Sequence, residues 1–132
     1  MEPIDEASKT EVERYLSLDI EELYSLIPDY MPEHSGKMFS PDARKSVGKE
    51  VIQRLSAELK RAICQEWGYC KRRNDPHFND SVRLTVAIGD VVTVACGLIP
   101  PFLISSLLIK LGLAKFCDCK TSESSKPILA ED

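Results

Sequence analysis

Apolar residues in the middle of the chain recur three or four positions apart, which is the spacing of one face of an α-helix. Ser40 is a good N-cap, and Pro41 suits the first turn of a helix. The pattern therefore predicts a long amphipathic helix over residues 41–67, with Gly48 at a point of close packing against a neighbour. The predicted apolar stripe consists of Val47, Val51, Leu55, Leu59, Ala62 and Ile63.

Two shorter helices are predicted before the long one. Val12 and Leu16 share a helical face and indicate a first helix near residues 9–16. Asp19 is followed three positions later by Glu22, the pattern of a capping box at the start of a second helix, which Pro28 ends. The residues between Pro28 and Ser40 have the composition of a loop.

The C-terminal third of the chain is far more apolar, with no charged residue between Asp90 and Lys110. This length reaches the window of a membrane-spanning helix. However, Pro100 and Pro101 fall in its middle, where each removes a backbone donor and clashes with the preceding turn. The sequence therefore favours an apolar hairpin within residues 81–117.

The two arms of this hairpin are predicted at residues 81–97 and 101–116, joined by the sequence GLIPP. Helices that are apolar almost all round lie in a protein core, in lipid or against a partner. The helices predicted before them are too few to cover both arms. We therefore expect part of the hairpin to be buried in an intermolecular contact. The residues predicted to make this contact are Val91, Val94, Leu98, Phe102, Leu107, Leu108 and Leu111.

Together these elements predict an all-α fold, a small helical bundle in one domain over residues 1–117, followed by a disordered tail over residues 118–132. Two functions fit the pattern. The first is a non-enzymatic interaction or accessory module that buries its hairpin in a homo-oligomer or a partner protein. The alternative is a small membrane-associated protein, such as an effector, anchor or sensor, whose residues 84–116 enter the bilayer.

Composition and motifs exclude several other classes. Apolar residues make up 43% of the chain and charged residues 29%, as in an ordinary globular protein. The formal net charge of −4 gives no reason to expect nucleic-acid binding. The sequence contains no glycine-rich phosphate loop, no nucleophile elbow and no histidine pair at metalloprotease spacing. We therefore predict neither an enzyme nor a bound cofactor.

Five cysteines and an N-terminus without the pattern of a secretory signal favour reduced thiols and a cytoplasmic location, at the membrane in the alternative interpretation. The simplest interpretation is that Cys64 and Cys96 are core residues. If consecutive helices alternate in direction, several potential ligands meet at one pole, although their spacing is unusual for zinc. These weak metal-binding candidates are Cys64, Cys70, His77, Cys117 and Cys119.

Overall fold

The computed structural model describes residues 5–31 and 40–119, and within these ranges it is helical and contains no strand. The predicted all-α fold is confirmed. A 3₁₀ turn (Ile27–Tyr30) follows the second helix, a π-helical segment (Arg61–Glu66) extends the third, and a 3₁₀ turn (Pro76–Asn79) precedes the fifth. In chain order the α-helices are α1 (Glu6–Leu16), α2 (Ile20–Leu26), α3 (Pro41–Lys60), α4 (Tyr69–Arg72), α5 (Ser81–Cys96), α6 (Pro101–Leu111) and α7 (Leu113–Phe116).

Side-chain caps fix where several helices begin. The carboxylate of Asp19 accepts a hydrogen bond from the backbone N–H of Glu22 at 2.7 Å, and the Glu22 carboxylate accepts one from the N–H of Asp19 at 2.9 Å. The predicted capping box of α2 is therefore confirmed. Ser40 caps α3 as predicted, and Asp80 caps α5.

The predicted long helix is present, but its last turns are wider than those of an α-helix. α3 is regular to Lys60 and then continues as the π-helical segment, which ends just before Gly68. Gly68 takes a left-handed conformation, with φ of 74°. Gly48 lies where α3 meets α2, and a Cβ atom at this position would overlap the carbonyl oxygen of Tyr24. The prediction of close packing at Gly48 is thus confirmed.

Helix α6 forms the centre of the core, and every residue from Leu103 to Leu108 is buried. It is covered by α1, α2 and α5. Helix α1 contributes Val12 and Tyr15 to this cover although most of its other residues are polar. Helix α6 is therefore buried within this chain, so the expected shortage of covering helices does not extend to the second arm, whereas Val94 at the end of the first arm stays exposed.

The two arms of the predicted hairpin, α5 and α6, are not antiparallel. The chain changes direction by 117° between α5 and α6, and α1 packs against both arms. In the described part of the chain no single helix is long and apolar enough to cross a membrane. Helices α5 and α6 reach the length and hydropathy of a membrane-spanning segment only when they are taken together.

The C-terminal boundaries also differ from the prediction. The second arm was predicted to run to residue 116, but α6 ends at Leu111 and the chain becomes helical again only in α7. The break lies at Gly112, whose φ of 104° is incompatible with a right-handed helix. Cys119 is bonded to Cys70, so residues 118 and 119 belong to the folded domain and not to a tail. The rest of the predicted tail, residues 120–132, lies outside the described residues.

Candidate functional site

The structure divides the seven predicted contact residues by burial. Leu107 and Leu108 are fully buried within this chain, which corrects their assignment, because α1, α2 and α5 leave them no surface for a partner. Val91 and Phe102 are half-buried. The Phe102 ring packs over Gly89, where an added Cβ would come within 2.6 Å of it. All four therefore belong to the core of this chain or pack against it.

The remaining three predicted residues are exposed, and two of them lie close together. Val94, in the last turn of α5, is 94% exposed, and Leu98, just after that helix, is 70% exposed. Leu111, at the far end of α6, is 37% exposed. Leaving a valine or leucine side chain in water forgoes about 1.5–3 kcal/mol of burial free energy. Two such side chains one turn apart therefore mark a surface that gains from being covered.

The turn between α5 and α6 explains why Leu98 points outward. Gly97 has a φ of 63°, a region that favours glycine, and it ends α5. Ile99 is only 2% exposed and anchors the turn in the core. Because the buried residue comes immediately after Leu98, the leucine is left on the outside of the turn.

An apolar recess of about 270 Å³ lies beside this turn. Its walls come from three elements that are distant in sequence: the end of the 3₁₀ turn after α2, the middle of α3, and the α5–α6 turn. Among the described residues of its lining, Arg54 is the only charged one. We call the recess together with Val94 and Leu98 the tip surface. The recess is lined by Tyr30, Met31, Val51, Arg54, Leu55, Ala95, Cys96, Gly97, Leu98 and Ile99.

Cys96 lines this recess with a chemically unreactive side chain. It is a free cysteine that is only 4% exposed. Burial raises the pKa of its thiol to about 12, because the thiolate would lose its hydration. At neutral pH the side chain is therefore an uncharged apolar group and not a nucleophile.

The other four cysteines form two disulfides at the opposite end of α5. Cys64 pairs with Cys117 and Cys70 with Cys119, with Cα–Cα distances of 5.4 and 5.5 Å. Their predicted meeting at one pole is confirmed. Their expected state is corrected, because all four were treated as free thiols. A disulfide sulfur is not a thiolate and does not ligate zinc as the candidate metal site requires.

His77, the fifth metal-binding candidate, is exposed and lies in an open surface depression with Asp75, Asp80 and Arg83. The two carboxylates there accept hydrogen bonds from backbone N–H groups at the starts of the neighbouring helical turns, at 2.9 Å each. Arg83 lies 4.0 Å from Asp80. Within residues 5–31 and 40–119 no group of three or more His, Cys, Asp or Glu side chains is arranged to hold a metal ion.

Sequence reasoning missed the half of the tip surface that α2 and α3 supply. Tyr30 and Met31 fell in a predicted loop, while Val51 and Leu55 were assigned to the stripe that faces the core. Tyr30 keeps 38% of its surface exposed and was the one detectable signal, since an aromatic residue in a polar loop is unusual. Nothing local in the sequence relates these residues to Leu98.

Comparison of the chain with protein-family models, with curated proteins and with solved structures finds no match. The function is therefore inferred from the tip surface and from the two disulfides.

Proposed function

We propose that this protein is a non-enzymatic helical interaction module that binds another polypeptide through the tip surface. One observation carries the proposal. Among the described residues only four large apolar side chains remain exposed. Two of them, Tyr30 and Leu98, line the recess, and a third, Val94, lies four positions before Leu98 in the chain. Scattered exposed apolar residues need no explanation, whereas a cluster beside an apolar recess indicates a binding surface.

The size and chemistry of the recess favour a protein side chain over a small-molecule ligand. Its volume of about 270 Å³ falls below the roughly 300–1,000 Å³ of typical ligand pockets. Such pockets also present several polar groups that orient the ligand, whereas Arg54 is the only charged residue that residues 5–31 and 40–119 contribute to this lining. A recess of this kind suits one or two aliphatic side chains that a partner inserts.

The disulfides support an oxidising compartment as the place where the module works. Disulfides persist in secreted, periplasmic and luminal proteins and are rare where thiols are kept reduced. The predicted cytoplasmic location rested on the odd number of cysteines and on the N-terminal pattern, and the pairing of Cys64 with Cys117 and of Cys70 with Cys119 speaks against the first of these grounds. Alkylation of the unfolded, non-reduced protein from its natural source is expected to label Cys96 alone. Labelling of all five cysteines would contradict the proposal.

Photo-crosslinking tests the binding function. A benzophenone amino acid is placed at position 98 in the tip surface, and as a matched control at Lys9, an exposed residue of α1. We expect a covalent adduct with a polypeptide identifiable by mass spectrometry from position 98 only. Val94→Asp in the same chain should abolish the adduct. Equal labelling from both positions, or none from either, would contradict the proposal.

A membrane-associated role is the second candidate, and the combined hydropathy of α5 and α6 favours it. In this case Val94 and Leu98 would enter the lipid, because the buried residues of α6 are not available to it. Sedimentation with phosphatidylcholine vesicles tests this role directly. Pelleting of the wild-type chain and release by Leu98→Asp would favour it over a protein partner.

A further inference from the structure

Asn79, Asp80 and Ser81 form the sequence Asn-X-Ser, with a residue other than proline at X, which is the acceptor motif for N-linked glycosylation. We propose that Asn79 carries an N-linked glycan. A three-residue motif also arises by chance, so its place in the fold and its chemical environment decide whether it is used. Both favour Asn79.

The motif lies on the surface at the junction of two helical elements. Asn79 is the last residue of the 3₁₀ turn before α5, Ser81 is the first residue of α5, and both are exposed. Asn79 also lines the open surface depression that contains His77. A glycan is bulky and hydrophilic, so it requires such a surface position. At Asn79 it extends into solvent and displaces no core residue.

The two residues that the modification uses are not the ones that cap α5. The cap is Asp80, whose carboxylate accepts a hydrogen bond from the backbone N–H of Val82 at 2.9 Å. A sugar on Asn79 therefore leaves the cap in place. For the same reason, replacing Asn79 or Ser81 is expected to leave the fold intact.

The disulfides place the motif in the compartment where such glycans are attached. Disulfides form in secreted and luminal proteins, and the acceptor motif is used on surface loops of the same class of protein. Asn79 lies within both loops that the bonds Cys64–Cys117 and Cys70–Cys119 close. The glycan thus rests on the oxidising compartment inferred under the proposed function.

The donor of the glycan is an oligosaccharide linked to a polyprenyl diphosphate. The transferase breaks the bond between C1 of the first sugar and the diphosphate oxygen and joins C1 to Nδ2 of Asn79. The amide nitrogen loses one proton to a base of the transferase, and the polyprenyl diphosphate leaves. No oxidant or reductant takes part.

The glycan and the tip surface lie at opposite ends of α5. Thirteen positions separate Ser81 from Val94, which corresponds to about 20 Å at ~1.5 Å per residue. A glycan on Asn79 therefore keeps the disulfide end of the molecule hydrated and leaves Val94 and Leu98 accessible.

Mass spectrometry of the full chain from its natural source tests the modification. We expect an intact mass above the 14.8 kDa of the chain, and a return to it after treatment with peptide-N-glycosidase. In water enriched in heavy oxygen, the enzyme should convert Asn79 to an aspartate that carries the heavy isotope. A sample without the enzyme controls for spontaneous deamidation. Asn79 without a glycan in the purified protein would overturn the proposal.

The chain offers a matched control for the motif. Asn74 is also exposed and is also followed by an aspartate, but the next residue is Pro76 and not a serine. In cells that naturally make the protein, Asn79→Gln and Ser81→Ala should each lose the whole glycan. Asn74→Gln and Ser81→Thr should keep it. A glycan that persists in Ser81→Ala would overturn the proposal.

The outcome for the glycan is separable from the outcome for the compartment. If alkylation labels Cys96 alone and Asn79 carries no glycan, only the glycan is overturned. If all five cysteines are labelled and Asn79 carries no glycan, both fail. A glycan on Asn79 together with labelling of Cys96 alone supports both.

Discussion

Removing one disulfide is expected to cost much less stability than removing both, because the two bonds close nearly the same loop. The Cys64–Cys117 bond spans 53 positions and the Cys70–Cys119 bond spans 49. Once either disulfide has formed, the second disulfide closes only a short ring that runs through the first one. Cys70 follows Cys64 by six positions, and Cys119 follows Cys117 by two. The second ring is therefore small.

The chain-entropy description of disulfides converts these loops into free energies. A first bond closing a loop of about 50 residues stabilises the folded state by about 4 kcal/mol, whereas a ring of about eight residues adds only about 2.5 kcal/mol. Deleting either pair should thus lower the free energy of unfolding by about 2.5 kcal/mol, and deleting both by about 6.5 kcal/mol. The combined loss exceeds the two single losses together, and it approaches the entire stability of a typical domain, ~5–15 kcal/mol.

Urea denaturation followed by circular dichroism measures these differences. The proteins to compare are the wild type, Cys64→Ala with Cys117→Ala, Cys70→Ala with Cys119→Ala, and the fourfold variant, all without reductant. The control is the wild type with reductant, which should behave like the fourfold variant. The slope of unfolding free energy against urea should also increase when both bonds are absent, because the unfolded chain then exposes more surface.

Two results would refute the reasoning. If each pair alone cost about 4 kcal/mol and the fourfold variant about 8 kcal/mol, the bonds would be closing independent loops and not one shared ring. If the fourfold variant were as stable as the wild type, the cysteines would not be bonded in the folded protein.

Three further predictions concern the core. Gly48→Ala should destabilise the protein by about 1–3 kcal/mol in urea denaturation, because the added Cβ would overlap the Tyr24 carbonyl oxygen. This loss should outweigh the better helix propensity of alanine. A stabilised variant would show that α2 and α3 are not in close contact at Gly48. Leu107→Ala should lower the free energy of unfolding by about 2.5–5 kcal/mol, whereas Leu98→Ala should change it by less than about 0.5 kcal/mol. Equal losses in the two variants would contradict the burial of Leu107 and the exposure of Leu98. Burial raises the pKa of the Cys96 thiol from 9.0 to about 12, so the contribution of the uncharged thiol to the free energy of unfolding is fully present below pH 9.0 and is lost as the pH rises towards 12. Urea midpoints measured across this pH range should therefore fall for the wild type, and less steeply for Cys96→Ala.

Local signals in the sequence were sufficient to locate most helices. The start of α3 at Pro41, the capping box of α2 and the start of α5 near Ser81 all follow from residues within one turn of the helix end. The apolar spacing along residues 41–67 likewise reports which face of one helix is buried, and this is a property of a single segment. Exposed Val94 and Leu98 were identified because they lie in a run more apolar than one buried helix requires.

The sequence therefore determined an all-α chain, the approximate bounds of its helices and the apolar residues at the α5–α6 turn, since each depends on neighbours within a few positions. The tertiary structure alone decided the rest. The open angle between α5 and α6 lets α1 pack against both helices, and Leu107 and Leu108 are fully buried within the chain, which removes them from any intermolecular contact. The cysteine pairing joins positions 53 and 49 residues apart. The recess joins walls from three separate elements, and no spacing along the chain encodes which distant surfaces meet.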